Sequence, residues 1–399
     1  MDMTKVCKGI YNVGVRDWDI RDFHGYSTYQ GTTYNAFLII DEKVVLIDTV
    51  KKPFTTQLLE NIKKIIDPTK IDMVISNHSE MDHTGALPHI MHHIGIDKPI
   101  YCSKAGKNNI EAHFGKDRFN FQVVKSGEEI NTGTKTLSFL ETKMLHWPDS
   151  MFTYAKEDKV LFSSDAFGQH YAGPAAFDDQ LTEEEMLGHA KKYYANILLP
   201  FSALVKKLVK DVEEMNLEID FICPDHGVMF RKDPGKIINK YKEWAEQKPG
   251  KKAVLIYDTM WESTRRMADE IANAISEKNI SVVCMNTRRC HRSDIITEVM
   301  DCGAVVIGSP TLNNNIFPAL SDILTYMKGL KPKNKIGAAF GSYGWSGEAV
   351  GILNKYIEEA GYELADPGVK VQYVPDESDL EKCRELGYKI ADMLEKLDS

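Results

Sequence analysis

The chain is 399 residues long, 43% hydrophobic and 27% charged, with a formal net charge of −9. These fractions are those of a folded globular protein and exclude a disordered chain or a fibre. The acidic balance, with no basic face interleaved with aromatics, excludes nucleic acid as the partner.

The length fits two domains, each with its own core. No segment approaches the ~20 apolar residues of a membrane span, and the opening MDMTKVCKGIYNVG lacks the apolar stretch of a signal peptide. A cytoplasmic protein with no membrane association is expected. The seven cysteines are scattered without a C-x-x-C pair, which argues against a disulfide framework or a thiolate metal site. Most are expected to be buried small hydrophobes.

The first half reads as short apolar strands separated by long, irregular connections rich in His and Asp. The clearest strands are 36–40, 43–48, 71–76, 121–124, 137–141, 159–164 and 221–224. The stretch TEEEMLGHAKKYYANILLPFSALVKKLVKDVEEM opens with a Thr182 cap and a Glu-rich turn, then shows helical periodicity broken at Pro200, which predicts two helices. At AEQKPGKKAV a polar, lysine-rich segment with Pro249 and Gly250 predicts a linker, so domains of 1–250 and 251–399 are expected. Beyond it strands and helices alternate: strands at 253–258, 281–285, 304–308, 336–340 and 369–374, with helices between and after them. That order predicts a doubly wound parallel sheet.

Two sets of motifs carry chemistry. The first is N-H-S-E-M-D-H-T-G, residues 77–85, directly after the strand IDMVIS. His78, Glu80, Asp82 and His83 thus project from a loop at a strand's C-terminal end, where sites are commonly built. A solvated polar turn accounts for any one histidine but not for the cluster. His146 in M-L-H-W-P-D-S, Asp165 in F-S-S-D-A-F-G and His226 in C-P-D-H-G stand in similar positions after strands. Two imidazole and carboxylate sets of this kind suit a pair of metal ions; mixed ligation favours iron, while zinc stays open on ligand type alone.

The second set lies on the loops of the second half. Y-D-T-M-W-E-S-T-R (257–265) places Thr259, Met260, Trp261, Ser263 and Thr264 where a strand enters a helix, a phosphate cradle of hydroxyls and backbone N–H groups. S-P-T-L-N-N-N (309–315), with Ser309, Pro310, Thr311, Leu312, Asn313 and Asn314, follows the third strand. G-S-Y-G-W-S-G (341–347), with Gly341, Ser342, Tyr343, Gly344 and Trp345, follows the fourth. All three fall on one edge at the switch point of a flavodoxin-like sheet, and Trp261, Tyr343 and Trp345 can stack on a flat ring. FMN is the expected ligand; no G-x-G-x-x-G follows a strand, which argues against a nicotinamide cofactor.

The pattern H-x-E-x-D-H followed by spaced His, Asp and His resembles the metallo-β-lactamase fold, an αβ/βα sandwich with two metals at its edge, with Glu80 where the zinc hydrolases usually have a second histidine. Together with the flavin loops, the chain resembles the flavodiiron proteins, or A-type flavoproteins, over essentially its whole length. That resemblance implies a non-haem diiron site in the first domain and FMN in the second, reducing O2 to water or NO to N2O. It assigns His78, Glu80 and His146 to one iron and Asp82, His83 and His226 to the other, with Asp165 bridging. It also implies a head-to-tail homodimer, with a dimer of dimers as a further option, in which each flavin serves the partner's irons. The fused rubredoxin or reductase extensions of some members do not follow the last helix. An external donor, rubredoxin or a reduced deazaflavin, is therefore expected.

His24 in D-F-H-G-Y, Tyr193 in K-K-Y-Y-A-N and Trp147 are taken on the same resemblance as donors of a hydrogen bond or proton near the metals. Plain packing explains Trp147 equally well. His89, His92, His93, His113, His170, His189 and His291 read as structural or surface residues, and Asp48 as an organiser of loops. Arg288, Arg289 and Arg292 in T-R-R-C-H-R read as a solvated turn, or as a patch that steers an acidic donor. A zinc hydrolase with a regulatory flavodoxin domain and a non-enzymatic flavin carrier or redox sensor are the alternatives. Zinc with esterase activity marks the first, and flavin without stoichiometric metal marks the second.

Overall fold

The computed structural model describes residues 4–398. It divides into two compact units, Met1–Phe23, Thr28–Tyr194 and Ala203–Lys242 forming the first, and His24–Ser27, Ala195–Ser202 and Glu243–Ser399 the second. Among the described residues no helix is long and apolar enough to cross a membrane.

The first unit is an αβ/βα sandwich of two sheets. One sheet runs Thr4–Cys7, Ile10–Asn12, Phe37–Ile39, Val44–Ile47, Ile71–Ile75, Pro99–Cys102, Asn120–Val123; the other runs Glu129–Asn131, Thr136–Glu141, Met151–Ala155, Val160–Phe162, Phe221–Cys223. The apolar runs explain the layering. Val44–Ile47 is buried at every position, as a strand covered on both faces must be. One face, with Phe37, Val45 and Ile75, meets Phe139, Val160 and Phe162 of the second sheet, and the Phe37 and Phe162 rings lie 5.1 Å apart. The other face, with Leu38, Leu46 and Val74, packs on Leu58, Ile62, Ile90 and Ile110 of the helices Thr55–Lys63, Leu87–Ile94 and Lys104–Phe114.

Strands such as Ile10–Asn12 and Pro99–Cys102 escape the sequence reading because three or four residues show no periodicity. Thr182 caps its helix as expected: its hydroxyl accepts the Glu185 N–H at 3.2 Å, and the Glu185 carboxylate accepts the Thr182 N–H at 3.2 Å. The helix Glu183–Tyr193 passes through irregular turns around Pro200 into Ser202–Glu214.

The second unit holds an all-parallel sheet ordered Ser281–Asn286, Gly250–Tyr257, Cys302–Gly308, Ile336–Tyr343, with Glu363–Leu364 and Val369–Gln372 both paired to Ile336–Tyr343. This is the flavodoxin order, in which the first strand lies between the second and third. The two-residue strand Glu363–Leu364 is an addition to the five read from the sequence. The helix after Ile336–Tyr343 starts at Ala349, because Gly347 takes φ +78° and holds the preceding turn out of helical geometry. Cys102, Cys223, Cys302 and Cys383 are buried thiols, Cys7 and Cys290 half-buried, and Cys284 exposed.

Candidate metal centre and flavin site

The metal-ligating side chains lie on loops that follow the C-terminal ends of strands, one strand in the first sheet and three in the second. Ile71–Ile75 leads into His78 and Glu80, and the short helical turn Met81–Thr84 carries Asp82 and His83. Asp165 follows Val160–Phe162, His226 follows Phe221–Cys223, and His146 lies between Thr136–Glu141 and Met151–Ala155.

Asp165 divides the cluster. Its Oδ2 lies 2.8 Å from His146 Nε2 and 3.2 Å from His78 Nε2; its Oδ1 lies 3.5 Å from His83 Nε2 and 3.6 Å from His226 Nε2. Glu80 Oε2 is 3.2 Å from His146 Nε2, on the first side. Asp82 Oδ2 is 3.2 Å from both His83 and His226 Nε2, on the second. His83 and His226 Nε2 are 3.1 Å apart, about the separation of two nitrogens each ~2.1 Å from one cation.

By themselves these side chains are electrostatically incomplete. His78 Nε2, Asp165 Oδ1 and both Asp82 oxygens are buried without a hydrogen-bond partner. Each such atom costs about 1–3 kcal/mol, and cations at the two focal points remove that cost. The far sides of the rings are anchored. The Thr33 carbonyl lies 2.5 Å from His226 Nδ1 and accepts its proton, which leaves Nε2 for a metal. Ser164 Oγ lies 2.9 Å from His78 Nδ1.

Burial opposes charging of these imidazoles, but the surrounding carboxylates prevail. Asp165 raises His78 to about 10, and hydrogen bonds with Asp165 and Glu80 raise His146 to about 9. Raised imidazole values support the metal-free fold fully below the unfolded value near 6.5, and that support fades as pH climbs through the folded values. A metal must displace those protons. Metal affinity is therefore expected to rise with pH up to the folded values of about 9 for His146 and about 10 for His78, with proton release measurable by titration calorimetry in buffers of different ionisation enthalpy. A pH-independent affinity would remove these histidines from the ligand set.

Asp48, Asp225, His170, Tyr193, Trp147 and His24 stand outside the expected ligand set. Asp48 accepts the Asn77 N–H at 2.8 Å and its amide at 2.9 Å, holding the start of the ligand loop. Asp225 is buried with Oδ2 3.6 Å from His78 Nδ1 and 3.9 Å from His83 Nδ1; the only sequence signal for it is its place beside His226. His170, read as structural or surface, is buried, its ring 4.8 Å from that of His226 and its Nδ1 2.8 Å from Thr32 Oγ1. Tyr193 is buried with its ring 6.1 Å from His226 and 5.1 Å from His170. Trp147 is half-buried beside His146 in the chain. His24 is exposed at φ 53° in the stretch His24–Ser27, which belongs to the second unit.

Asn35 fastens the His226 loop, donating to Pro224 O at 2.7 Å and Gly227 O at 3.0 Å. Gly227 itself must be glycine: φ is +81° and a Cβ would lie 2.6 Å from the Gln169 carbonyl. Asn35→Ala is expected to cost about 1–3 kcal/mol in urea unfolding and to lower metal occupancy; unchanged stability would mean water replaces the amide without penalty.

In the second unit, the three loops line one cavity of about 680 Å³, together with Ser346 and Tyr373, a size suited to a small cofactor. Met260, Trp261, Ser263, Pro310, Thr311, Leu312, Asn313, Asn314, Ser342, Tyr343, Gly344 and Trp345 are on its wall. Thr259, Thr264, Ser309 and Gly341 stand behind it. Thr264 Oγ1 is 2.9 Å from Ser342 Oγ, and a Cβ at Gly341 would lie 2.2 Å from the Ser309 carbonyl. Thr259 Oγ1 is buried without a partner, and the helix Ser263–Glu277 has no side-chain cap. Both leave donors for a phosphate. Trp261 and Trp345 are 87% and 86% exposed and Tyr373 64%, an aromatic surround that a flat ring would cover. The strand Val369–Gln372 ends one residue before Tyr373, inside the 369–374 expected from the sequence, so Tyr373 falls in a loop on the same edge.

The family described as ODP family beta lactamase matches residues 32–227, and Flavodoxin matches residues 255–387. The chain is 46% identical over 389 residues to a nitric oxide reductase of Moorella thermoacetica, covering 97% of both chains. It is 43% identical over 394 residues to a rubredoxin-oxygen oxidoreductase of Megalodesulfovibrio gigas, covering 98% of both. The crystal structure of the flavodiiron protein from Giardia intestinalis superposes with a TM-score of 0.96 at 32% identity, over 100% of this chain and 98% of that one. This chain is a flavodiiron protein. As such it is an oxidoreductase, and the family's cofactor pair fits its two sites: unpartnered nitrogen and carboxylate ligands in one unit, an aromatic cavity with a phosphate cradle in the other. The hydrolase and carrier alternatives lose their support with that assignment.

Proposed function

We propose that this flavodiiron protein reduces NO to N2O, O2 to water, or both, at two irons held by residues of the 1–250 domain, with electrons passing through FMN in the 251–399 domain. The observation that carries the reading is the division of the cluster by the two oxygens of Asp165. One iron is assigned to His78, Glu80 and His146, the other to Asp82, His83 and His226, with Asp165 shared. Bound there, the irons would supply the redox chemistry on a diatomic gas and the flavin would supply electrons.

The protein's own part is positional and protic. Asp82, Glu80 and Asp165 offset the metals' positive charge, and the Thr33 carbonyl keeps His226 in one tautomer. Burial, with Asp165 nearby, pushes the Tyr193 phenol well above its ordinary value, so it stays a proton donor throughout the working range. His24 is assigned the same donor role.

A head-to-tail homodimer, or a dimer of such dimers, brings each flavin to the partner's irons. The donor is assigned as rubredoxin, in keeping with the relative named rubredoxin-oxygen oxidoreductase, and the location as the cytoplasm. No nucleic acid or membrane takes part. The test is metal and flavin analysis followed by anaerobic reduction and separate challenges with O2 and NO. Iron with FMN and turnover of either gas is the expected result; zinc in the cluster, with catalysis undiminished, would overturn it.

A further inference from the structure

We propose that Asp258 is a positioning residue for flavin binding, its buried carboxylate clamping the phosphate-side loop to the arginine loop with Arg288 as its counter-ion. Asp258 closes the strand Gly250–Tyr257, and its side chain is wholly buried. Oδ1 accepts the Thr259 N–H at 2.7 Å and the Arg288 Nε–H at 2.9 Å; Oδ2 accepts the Thr287 hydroxyl at 2.7 Å. The Arg288 guanidinium lies over the Phe317 ring at 5.2 Å, and the Phe317 N–H donates to Ser309 Oγ at 3.0 Å. One carboxylate therefore ties together the loops that follow Gly250–Tyr257, Ser281–Asn286 and Cys302–Gly308.

Two consequences follow from charge. A buried carboxylate without its counter-ion is costly, and here it would also stand next to the loop that cradles a phosphate dianion. Arg288 neutralises it, so the cradle is not set against a bare negative charge. The arginine loop is thereby divided. Arg288 is engaged by Asp258 and Arg292 by Asp322, whereas Arg289 is exposed and has no ion-pair partner among the described residues. Steering of an acidic donor falls to Arg289, and Arg288 serves the flavin.

The inference rests on the reading that FMN occupies the cavity beneath these loops, so the test begins with the wild type. Full-length apoflavoprotein, its metal centre left loaded, is titrated with FMN by quenching of flavin fluorescence; failure of the wild type to bind refutes that reading, and the clamp with it. Given wild-type binding, D258N and R288Q are each expected to weaken FMN affinity about tenfold, as for loss of a charge-assisted hydrogen bond. The double variant should be no weaker than the poorer single, because both break one contact. R288K, which keeps the charge, should recover part of the loss. In flavin-saturated enzyme at low ionic strength, R289Q should raise KM for rubredoxin more than R288Q does. Should D258N fail to fold, R288Q and R288K on an exposed side chain carry the test. Unchanged affinity in R288Q, losses that multiply in the double variant, or a larger KM effect at Arg288 than at Arg289 would each overturn the proposal.

Discussion

Replacing Asp165 by asparagine (D165N) is expected to strip metal from the first unit and reduce NO and O2 turnover to background, while FMN remains bound. Asp165 presents one oxygen to each half of the cluster, and an amide supplies one neutral oxygen in place of two charged ones. Loss of partners that merely orient a ligand costs about 10–100-fold in metal affinity, so loss of a shared ligand should exceed that at both positions. Glu80→Gln makes the contrast, since Glu80 approaches His146 and His78, both on the first side, and its loss should weaken one metal more than the other. Metal content by plasma mass spectrometry, read beside flavin absorbance, distinguishes the two variants. In the metal-free protein D165N also removes the carboxylate that holds His78 and His146 above their ordinary values. Breaking a buried pair costs up to about 3–5 kcal/mol, visible in urea unfolding at neutral pH. Full metal occupancy in D165N would show that the carboxylate is not a ligand.

A carboxylate introduced at Thr264 (T264E) is expected to empty the flavin site and leave the metal centre loaded. Thr264 is fully buried in the first turn of its helix, with its hydroxyl 2.9 Å from Ser342 Oγ. A negative charge ~4 Å from a phosphate is repelled by about 4 kcal/mol at an effective dielectric of 20, close to a thousandfold in affinity. Thr264→Val, which removes the hydroxyl and keeps the shape, should cost only about tenfold. Steady-state turnover with an external donor should vanish in T264E, whereas a chemically reduced metal centre should still react once with NO. Retention of FMN by T264E would move the phosphate to another part of the cavity.

Much of this was legible in the primary structure, and for identifiable reasons. Strands such as AVLIYD and AVVIG, buried on both faces, appear as unbroken apolar runs, and a regular alternation with helices admits few sheet topologies. The ligand loop 77–85 crowds four donors into six residues after a strand, a density that a solvated turn does not need. Ile10–Asn12 was hidden, because its three residues, paired on both sides, offer neither an apolar run nor a period, whereas the equally short Phe37–Ile39 is wholly apolar and was legible.

Residue type and local spacing alone determined the chemistry: imidazoles and carboxylates at strand ends in one half, hydroxyls, glycines and indoles at strand ends in the other. Only the tertiary structure decided the partnerships. That Asp165 faces two pairs of histidines, that the Thr33 carbonyl holds His226 from 193 positions away, that Asp225 stands behind two ligands, and that Arg288 answers Asp258 all depend on which strands lie side by side. Periodicity is written into neighbouring residues, whereas the matching of buried charges arises where distant loops are brought within a few ångströms by sheet order and packing.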